Sequence, residues 1–188
     1  AGCCGAVAWH LNARQDGLDA MRRNIDAWWP EIESGCEAVL VTASGCGALV
    51  KDYGELLAHD PDYAAKAARV AALARDPVEI LAQEDLSALG SPGRGRRVAF
   101  HAPCTLQHGQ RLKQVVEPIL ARLGFILTAV PDAHLCCGSA GTYSITQPAL
   151  SASLRSNKLA ALVSGAPELI ATANNGCQIQ LAAGIEIP

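Results

Sequence analysis

The feature that most restricts this fold is a pair of adjacent cysteines followed by glycine, which occurs twice in the chain. The two runs are GCCGA at residues 2–6 and LCCGSAG at residues 135–141. Neighbouring side chains usually diverge, and a disulfide between adjacent cysteines strains the backbone. Such pairs contribute little to packing or crosslinking, so we interpret both as parts of a functional site.

The spacing around the pairs indicates an internal repeat. Asn24 and Asn157 each lie 20 residues beyond the second cysteine of their pair. Further along, AVLVTASGC (38–46) corresponds to LIATANNGC (169–177), so a third cysteine follows each pair after 42 or 40 residues. The chain is therefore predicted to contain two copies of one unit.

Hydrophobic patterns predict a parallel α/β arrangement in the second copy. VAFHA (98–102) and FILTAV (125–130) predict strands, with an amphipathic helix over 107–122 between them. Residues 148–164 predict a helix with proline in its first turn, and ELIATA (168–173) predicts another strand. Because the carboxyl ends of parallel strands lie at one edge of a sheet, we expect the cysteines that follow them to converge there. These cysteines are Cys104, Cys136, Cys137 and Cys177.

The first copy shows only the second half of this pattern. A helix near 16–28 and a strand at 38–43 follow its cysteine pair, but no opening strand, helix and lone cysteine precede it. We therefore expect a first lobe that is incomplete at the N-terminus, as in a fragment of a longer chain. The predicted fold is α/β, with two pseudo-repeated lobes of short parallel sheets flanked by helices. We predict a first domain at 1–90, holding the truncated first unit and a helical connecting layer, and the second unit at 91–188.

Cysteine content and charge narrow the range of functions. The 188-residue chain has eight cysteines and no recognisable export signal, so reduced thiols that serve metal binding or redox chemistry are expected. A net charge of -3 with scattered basic residues gives no indication of a nucleic-acid partner. No apolar run reaches membrane-spanning length. Cys36 has no counterpart in the repeat and is predicted to be a buried structural thiol.

The cysteine spacing carries a family resemblance. Cys104, a gap of 31 residues, the run Cys136-Cys137-Gly138 and then Cys177 resemble the cysteine-rich CCG domain. This domain is shared by heterodisulfide reductase B subunits and related electron-transfer proteins. A narrower resemblance, to the iron–sulfur subunits of glycolate oxidase, covers essentially the whole chain. It rests on HAPCTLQHGQ (101–110), DAHLCCGSAGTYSITQP (132–148), LRSNKLAAL (154–162) and GCGALVKDYG (45–54).

The resemblance implies an iron–sulfur cluster, of the 4Fe–4S type, in an electron-transfer subunit. Electrons would pass from a flavin-containing dehydrogenase subunit to an acceptor. The flavin partner would oxidise glycolate or another 2-hydroxy acid, so no catalytic residue is assigned to this chain. Family members usually carry an N-terminal ferredoxin-like part with two cubane clusters, which nothing here matches. The implied location is cytoplasmic, with any attachment to the inner face of the cell membrane made through partners.

Several thiolates that converge from separate loops suit an iron–sulfur cluster. The predicted ligands are Cys104, Cys136, Cys137 and Cys177. Each unit lacks the final Cys-x-x-Cys of many CCG motifs, so ligation by five cysteines is not expected. The first unit offers only Cys3, Cys4 and Cys46, and we predict a cluster in the second unit alone.

Glycines beside these cysteines are expected to shape the cluster loops. Gly138 and Gly141 would allow the backbone to curl and turn amide N–H groups toward sulfur. Gly176, which precedes the last ligand, is a third candidate cofactor-binding glycine. Asn24 and Asn157 are predicted either to steady the cysteine loops or to lie on the helix surface.

Three histidines close to the cysteines in sequence have two interpretations. His101, His108 and His134 each have the chemistry of a metal ligand or a proton path. Isolated histidines are more often hydrogen-bonded structural residues, and we favour that interpretation for all three.

Two other functions compete with electron transfer. Reduced vicinal cysteines are able to attack a disulfide substrate, as the resemblance to heterodisulfide reductase allows, but no Cys-x-x-Cys redox spacing is present. A zinc-stabilised or metal-free docking module is the third possibility. Structural zinc sites usually take their cysteines as Cys-x₂₋₄-Cys pairs, and this spacing is also missing.

Overall fold

A computed structural model describes residues 1–185 of the chain. It divides into two compact units, Ala1–Pro77 and a second from Val78 onward. The predicted boundary after residue 90 rests on the glycine- and proline-rich stretch GSPGRGRR (90–97), and it stays a prediction. The last three residues of the predicted second unit, 186–188, lie outside the described residues.

The first unit is a helical layer around two short parallel strands. The strands pair in parallel with Val39 beside Ala74, and Met21, Ile25, Tyr53 and Val70 are fully buried between the helices. In chain order the elements are α1 (Ala6–His10), α2 (Arg14–Glu33), β1 (Val39–Leu40), α3 (Ser44–Leu56), α4 (Ala64–Leu73) and β2 (Ala74–Arg75).

The second unit contains a three-stranded parallel sheet with helices between its strands. The strand order is β4-β3-β5, and β3 lies in the centre. Single 3₁₀ and π turns occupy Ser87–Leu89 and Thr105–Gly109. The other elements are α5 (Pro77–Leu81), β3 (Arg97–His101), α6 (Val116–Arg122), β4 (Ile126–Leu127), α7 (Tyr143–Thr146), α8 (Pro148–Val163), β5 (Leu169–Thr172) and α9 (Asn175–Ala182).

The central strand is buried on both faces because helices cover each side of it. Ala99 packs with Leu162 of α8 and Leu181 of α9. Phe100, which points to the opposite face, packs with Leu106 and Val116. This three-layer arrangement confirms the α/β prediction, with short parallel sheets flanked by helices.

The prediction of one amphipathic helix over 107–122 is wrong. The chain instead makes the π turn, an irregular stretch, and then the seven-residue α6. Arg111 and Gln114 have φ angles of 60° and 56°, in the left-handed region, which no right-handed helix can continue through. Within residues 1–185, no helix combines the length and the apolar character that crossing a bilayer requires.

Candidate metal centre

The three strand ends of the second sheet deliver four cysteines to one edge. Cys104 begins the π turn after β3, and Cys177 is the third residue of α9, which follows β5. The Asn174 side chain caps α9 by accepting a hydrogen bond from the Cys177 N–H at 3.2 Å. Cys136 and Cys137 lie in the loop between β4 and α7. Because the strands are parallel, these segments meet at one edge, as the sequence pattern predicted.

The four thiols form a continuous chain of hydrogen bonds. Cys136 contacts Cys104 on one side and Cys137 on the other, and Cys137 also contacts Cys177. Residues that are separated by up to 73 positions in sequence therefore bring their sulfur atoms together. Cys137 is buried, while the other three thiols are partly exposed.

Proton sharing divides these thiols into two electrostatic types. Hydrogen bonds from the thiols of Cys104 and Cys137 lower the pKa of Cys136 to about 2. The pKa values of Cys104 and Cys137 are raised, first because each hydrogen-bonds to Cys136. The pKa of Cys177 is also lowered, first because of its hydrogen bond with Cys137. The arrangement thus shifts the pKa values of Cys136 and Cys177 toward the thiolate, the form that binds metal.

Gly138 makes the tight turn that follows the cysteine pair. Its φ of 86° lies in the left-handed region, and its N–H donates to the Cys136 sulfur at 3.3 Å. A Cβ at this position would collide with the Ser151 carbonyl oxygen of α8. Ser151 donates from its hydroxyl to the Gly138 carbonyl at 2.8 Å and accepts from Gln180 of α9 at 2.8 Å. Two helices therefore fix the loop that carries the thiols.

The other two predicted glycines lie near this loop but in different surroundings. Gly141 has a φ of 63°, and a Cβ added there would meet open space. Gly176 lies in the first turn of α9, where a Cβ would contact the Ser139 hydroxyl at 3.1 Å. Gly176 thus permits a close approach between α9 and the residue after Gly138.

Two buried basic residues accompany the thiols. Lys158 of α8 is 1% exposed, and its ammonium group donates to the carbonyls of Ala133 at 2.9 Å and Asp132 at 3.3 Å. His101 is also 1% exposed, and one of its ring nitrogens lies within 4.8 Å of the sulfur atoms of Cys137 and Cys177. Burial is the first cause that lowers both pKa values, that of His101 to about 4.

The first unit has a smaller thiol cluster of similar design. Cys4 is buried and hydrogen-bonds to Cys46, the third residue of α3, and to Cys3. The hydrogen bond from Cys46 is the main reason that the pKa of Cys4 is lowered to about 6, and the pKa of Cys46 is raised in return. The three predicted first-unit thiols are thus neighbours, although Cys3 is exposed.

An amide and a phenol hold the first cysteine pair in place. Asn24 donates to the Cys3 carbonyl at 2.9 Å and accepts from the Gly2 N–H at 2.7 Å. The Tyr53 hydroxyl donates to the Cys4 carbonyl at 2.7 Å. Asn24 therefore steadies the loop, which was one of its two predicted roles.

The packing contacts of two glycines indicate a register between the units that differs by one residue from the sequence-based alignment. A Cβ on Gly5 would meet the Gly17 carbonyl and the Ala20 side chain. A Cβ on Gly138 would meet the Ser151 carbonyl and the Leu154 side chain. Pairing Gly17 with Ser151 makes Lys158 the counterpart of Asn24. The predicted match of Asn24 with Asn157 is therefore wrong, and Asn157 is exposed.

Several residues that drew attention in the sequence lie elsewhere. His108 and His134 are exposed, and the Cys36 thiol donates to the Ala38 carbonyl at 2.9 Å. His101 alone of the three histidines joins the metal-ligating cluster found among residues 1–185. Sequence reasoning missed Lys158, although its spacing of seven residues from Ser151 places it on the buried face of α8.

The donor set fits an iron–sulfur cluster. Four thiols from three segments meet, the pKa values of two of them are lowered, and a backbone N–H points at one sulfur. The buried ammonium group of Lys158 lies beside them, where it is able to balance negative charge. Zinc also accepts four thiolates, so the donor set alone leaves the identity of the metal to experiment.

Comparison with known proteins links these observations to a family. The family model described as a cysteine-rich domain, CCG, matches residues 1–51 and 98–182. The two matched segments contain both cysteine pairs and the cysteines that approach them in each unit.

Individual relatives extend this likeness. The chain is 60% identical to the glycolate oxidase iron-sulfur subunit of Escherichia coli K12, across 97% of this chain and 44% of that protein. It is 31% identical to the probable glycolate oxidase iron-sulfur subunit of Bacillus subtilis 168, across 98% of this chain and 41% of that protein. Lactate utilization protein A of Bacillus velezensis is 29% identical, across 95% of this chain and 74% of that protein. The chain thus spans less than half the length of the first two relatives.

Proposed function

The chain belongs to the cysteine-rich CCG domain family, and we propose that it is the cysteine-rich part of an iron–sulfur subunit in a flavin-dependent 2-hydroxy-acid oxidoreductase. Its role there is to receive electrons from a flavin-containing dehydrogenase subunit and pass them to an acceptor. The names of the two relatives described as glycolate oxidase subunits support glycolate as the substrate of the complex.

The observation that carries the proposal is the convergence of four thiols at one edge of the second sheet. The thiols reach this edge from three separate strand ends, and each contacts the next in the order Cys104, Cys136, Cys137 and Cys177. Core packing does not require such a cluster, because a hydrophobic residue would fill the same space without a polar group. We propose these four as the ligands of a 4Fe–4S cluster.

Each surrounding group has a definite task in this proposal. Gly138 donates its N–H to the Cys136 sulfur, which stabilises thiolate there. Lys158 holds the preceding loop through two carbonyls and adds a buried positive charge. When bound, an iron–sulfur cluster supplies reversible one-electron redox chemistry, whose potential depends on net charge, burial and hydrogen bonds to sulfur.

Partner subunits complete the proposed complex. We assign no catalytic residue to this chain and place oxidation of the hydroxy acid in the flavin-bearing partner. We further propose a cytoplasmic location, with any contact to the inner face of the cell membrane made through the partners.

Metal analysis of cysteine variants tests the proposal. We expect protein prepared without air to be brown, with iron and acid-labile sulfide in near-equal amounts. Cys104→Ser should lose the iron and sulfide held by the second unit. Cys36→Ser is the matched control, because the Cys36 thiol bonds to a backbone carbonyl, and it should keep the full metal content.

Two results would replace the proposal with a competing function. Stoichiometric zinc in place of iron would indicate a docking module. Reduction of a small disulfide by the isolated protein, abolished in Cys137→Ser but not in Cys36→Ser, would indicate a thiol–disulfide enzyme. Equal metal loss in Cys104→Ser and Cys36→Ser would contradict the ligand assignment.

A further inference from the structure

His101 lies at the buried end of a strand and not in an exposed loop. It ends the central strand β3, and its side chain is 1% exposed. The β3–β5 register places it directly beside Thr172, and its Nδ1 lies 2.8 Å from the Thr172 hydroxyl. The backbone register and this side-chain hydrogen bond therefore fix the imidazole ring from two directions.

The same ring lies against the thiols. One ring nitrogen is within 4.8 Å of the sulfur atoms of both Cys137 and Cys177. Because Nδ1 is engaged by Thr172, Nε2 is the nitrogen that remains for the sulfur side. His108 and His134, the other two histidines near the cysteines in sequence, are exposed and do not contact the thiols in this way.

The hydrogen bond between the Thr172 hydroxyl and His101 Nδ1 bears on which ring nitrogen carries the proton. A hydroxyl has one proton to donate and loses free energy when that proton stays unbonded in a partly buried site. The Thr172 hydroxyl makes such a hydrogen bond with His101 Nδ1, at 2.8 Å. If the hydroxyl donates to Nδ1, the neutral ring carries its proton on Nε2.

We propose that His101 donates a hydrogen bond from Nε2–H to the sulfur atoms of Cys137 and Cys177 when these hold the iron–sulfur centre, and thereby raises its reduction potential. This inference rests on the proposed function, in which four cysteines already supply the four ligands. The histidine is a positioning residue rather than a ligand. A donor to thiolate stabilises the reduced, more negative state of the centre, and the buried site strengthens the effect.

Redox titration of matched variants tests the donor role. The centre is identified as the signal that Cys104→Ser removes. His101→Leu should keep the iron and sulfide content but shift the midpoint potential of this centre to a more negative value. His101→Gln, whose side-chain amide retains an N–H, should recover part of the shift. His108→Leu removes an exposed histidine and should leave the potential unchanged.

Thr172 variants test the tautomer. Thr172→Val removes the hydroxyl that engages Nδ1 and should lower the potential in the same direction as His101→Leu, by a smaller amount. Thr172→Ser keeps the hydroxyl and should match the wild type. A Thr172→Val protein with the wild-type potential would overturn the assignment of the proton to Nε2.

Pulsed electron paramagnetic resonance distinguishes a donor from a ligand. We expect a proton coupled to the reduced centre that exchanges in deuterium oxide and is absent from His101→Leu. A strong, directly bonded coupling from ¹⁵N-labelled histidine, or loss of iron in His101→Leu, would show ligation and overturn the inference. An iron-containing wild type whose potential is unchanged in His101→Leu would overturn the inference alone, whereas an iron-free wild type would overturn the proposed function as well.

Discussion

The two units use the same backbone device to present their cysteine pairs. In each, a glycine with φ near 90° follows the pair and packs against a carbonyl of the long helix beyond it. The third cysteine in each is the third residue of a helix that follows a parallel strand. This shared frame positions thiols but does not by itself decide how much charge they carry.

The units differ in the groups that surround the thiols. Asn24, a neutral amide, holds the first pair, whereas Lys158, a buried cation, occupies the equivalent place in the second unit. The second unit also adds a fourth thiol and His101. A buried ammonium is costly unless negative charge lies nearby. The difference supports the proposal that an anionic centre binds in the second unit and not in the first.

We expect the largest effect of a single substitution at Gly138, and Gly5 is its counterpart in the first unit. Gly138→Ala forces a left-handed φ on alanine and drives its Cβ into the Ser151 carbonyl, so we expect a loss of about 2–5 kcal/mol in unfolding free energy. Gly5→Ala places its Cβ 2.8 Å from the Gly17 carbonyl and should cost less, about 1–3 kcal/mol. Urea unfolding of both variants measures the difference. A smaller loss in Gly138→Ala than in Gly5→Ala would contradict the comparison.

Lys158→Met tests whether the buried charge serves the bound centre. The variant leaves the Ala133 and Asp132 carbonyls without their donor but also removes a buried ammonium. We expect a loss of about 2 kcal/mol in the iron-loaded protein and under about 1 kcal/mol after iron removal.

Asn24→Met is the matched control for the buried charge. It removes a neutral partner from the Cys3 carbonyl, so its effect on unfolding free energy should be the same in both forms. Equal losses for Lys158→Met in loaded and iron-free protein would show that the ammonium group has only a structural role.

Tyr53→Phe removes one support of the first cysteine pair. The ring stays buried, but the hydroxyl that donates to the Cys4 carbonyl at 2.7 Å is lost. We expect a decrease of about 1 kcal/mol in unfolding free energy, with no change in the metal content of the second unit. Thermal unfolding with parallel iron analysis measures both quantities, and iron loss in this variant would contradict the assignment of iron to the second unit.

The smallest expected effect is a pH dependence at the surface of the first unit. A hydrogen bond from Arg22, whose guanidinium lies 2.7 Å from Asp60, lowers the pKa of that carboxyl below its ordinary value. The folded pKa is depressed, so the stabilisation is present above the unfolded pKa of about 3.9 and is lost as the pH falls through the folded value. Asp60→Asn should flatten this part of the stability profile, and an unchanged slope would exclude the pair as its source.

Local signals in the sequence predicted the parts of the fold that depend on short stretches of chain. β3 (Arg97–His101) lies within one residue of the predicted strand VAFHA (98–102), because this short apolar run is buried on both faces. α8 starts at the predicted Pro148, which suits the first turn of a helix because it needs no N–H partner there. The convergence of the four cysteines followed from the parallel order of the strands.

Features that depend on tertiary contacts could not be predicted from local patterns in the sequence. Counting residues missed the one-residue difference between Gly5–Gly17 and Gly138–Ser151, because only packing against the long helix reveals it. Lys158 resembles an ordinary surface lysine until the Asp132 and Ala133 carbonyls are seen around it. Arg111 and Gln114, whose left-handed φ angles interrupt residues 107–122, are not glycines, so the sequence did not indicate this backbone conformation.

Differential alkylation measures most directly which thiols hold a metal centre. Anaerobic protein is treated with iodoacetamide before and after iron is removed by a chelator, and each cysteine is quantified by mass spectrometry. We expect the partly exposed thiols of Cys104, Cys136 and Cys177 to be protected together and to become reactive together on iron removal, while Cys3 and Cys36 react at the same rate in both samples. The proposal that these four thiols bind one centre would be contradicted if the protection of Cys104 or Cys177 did not change when iron was removed.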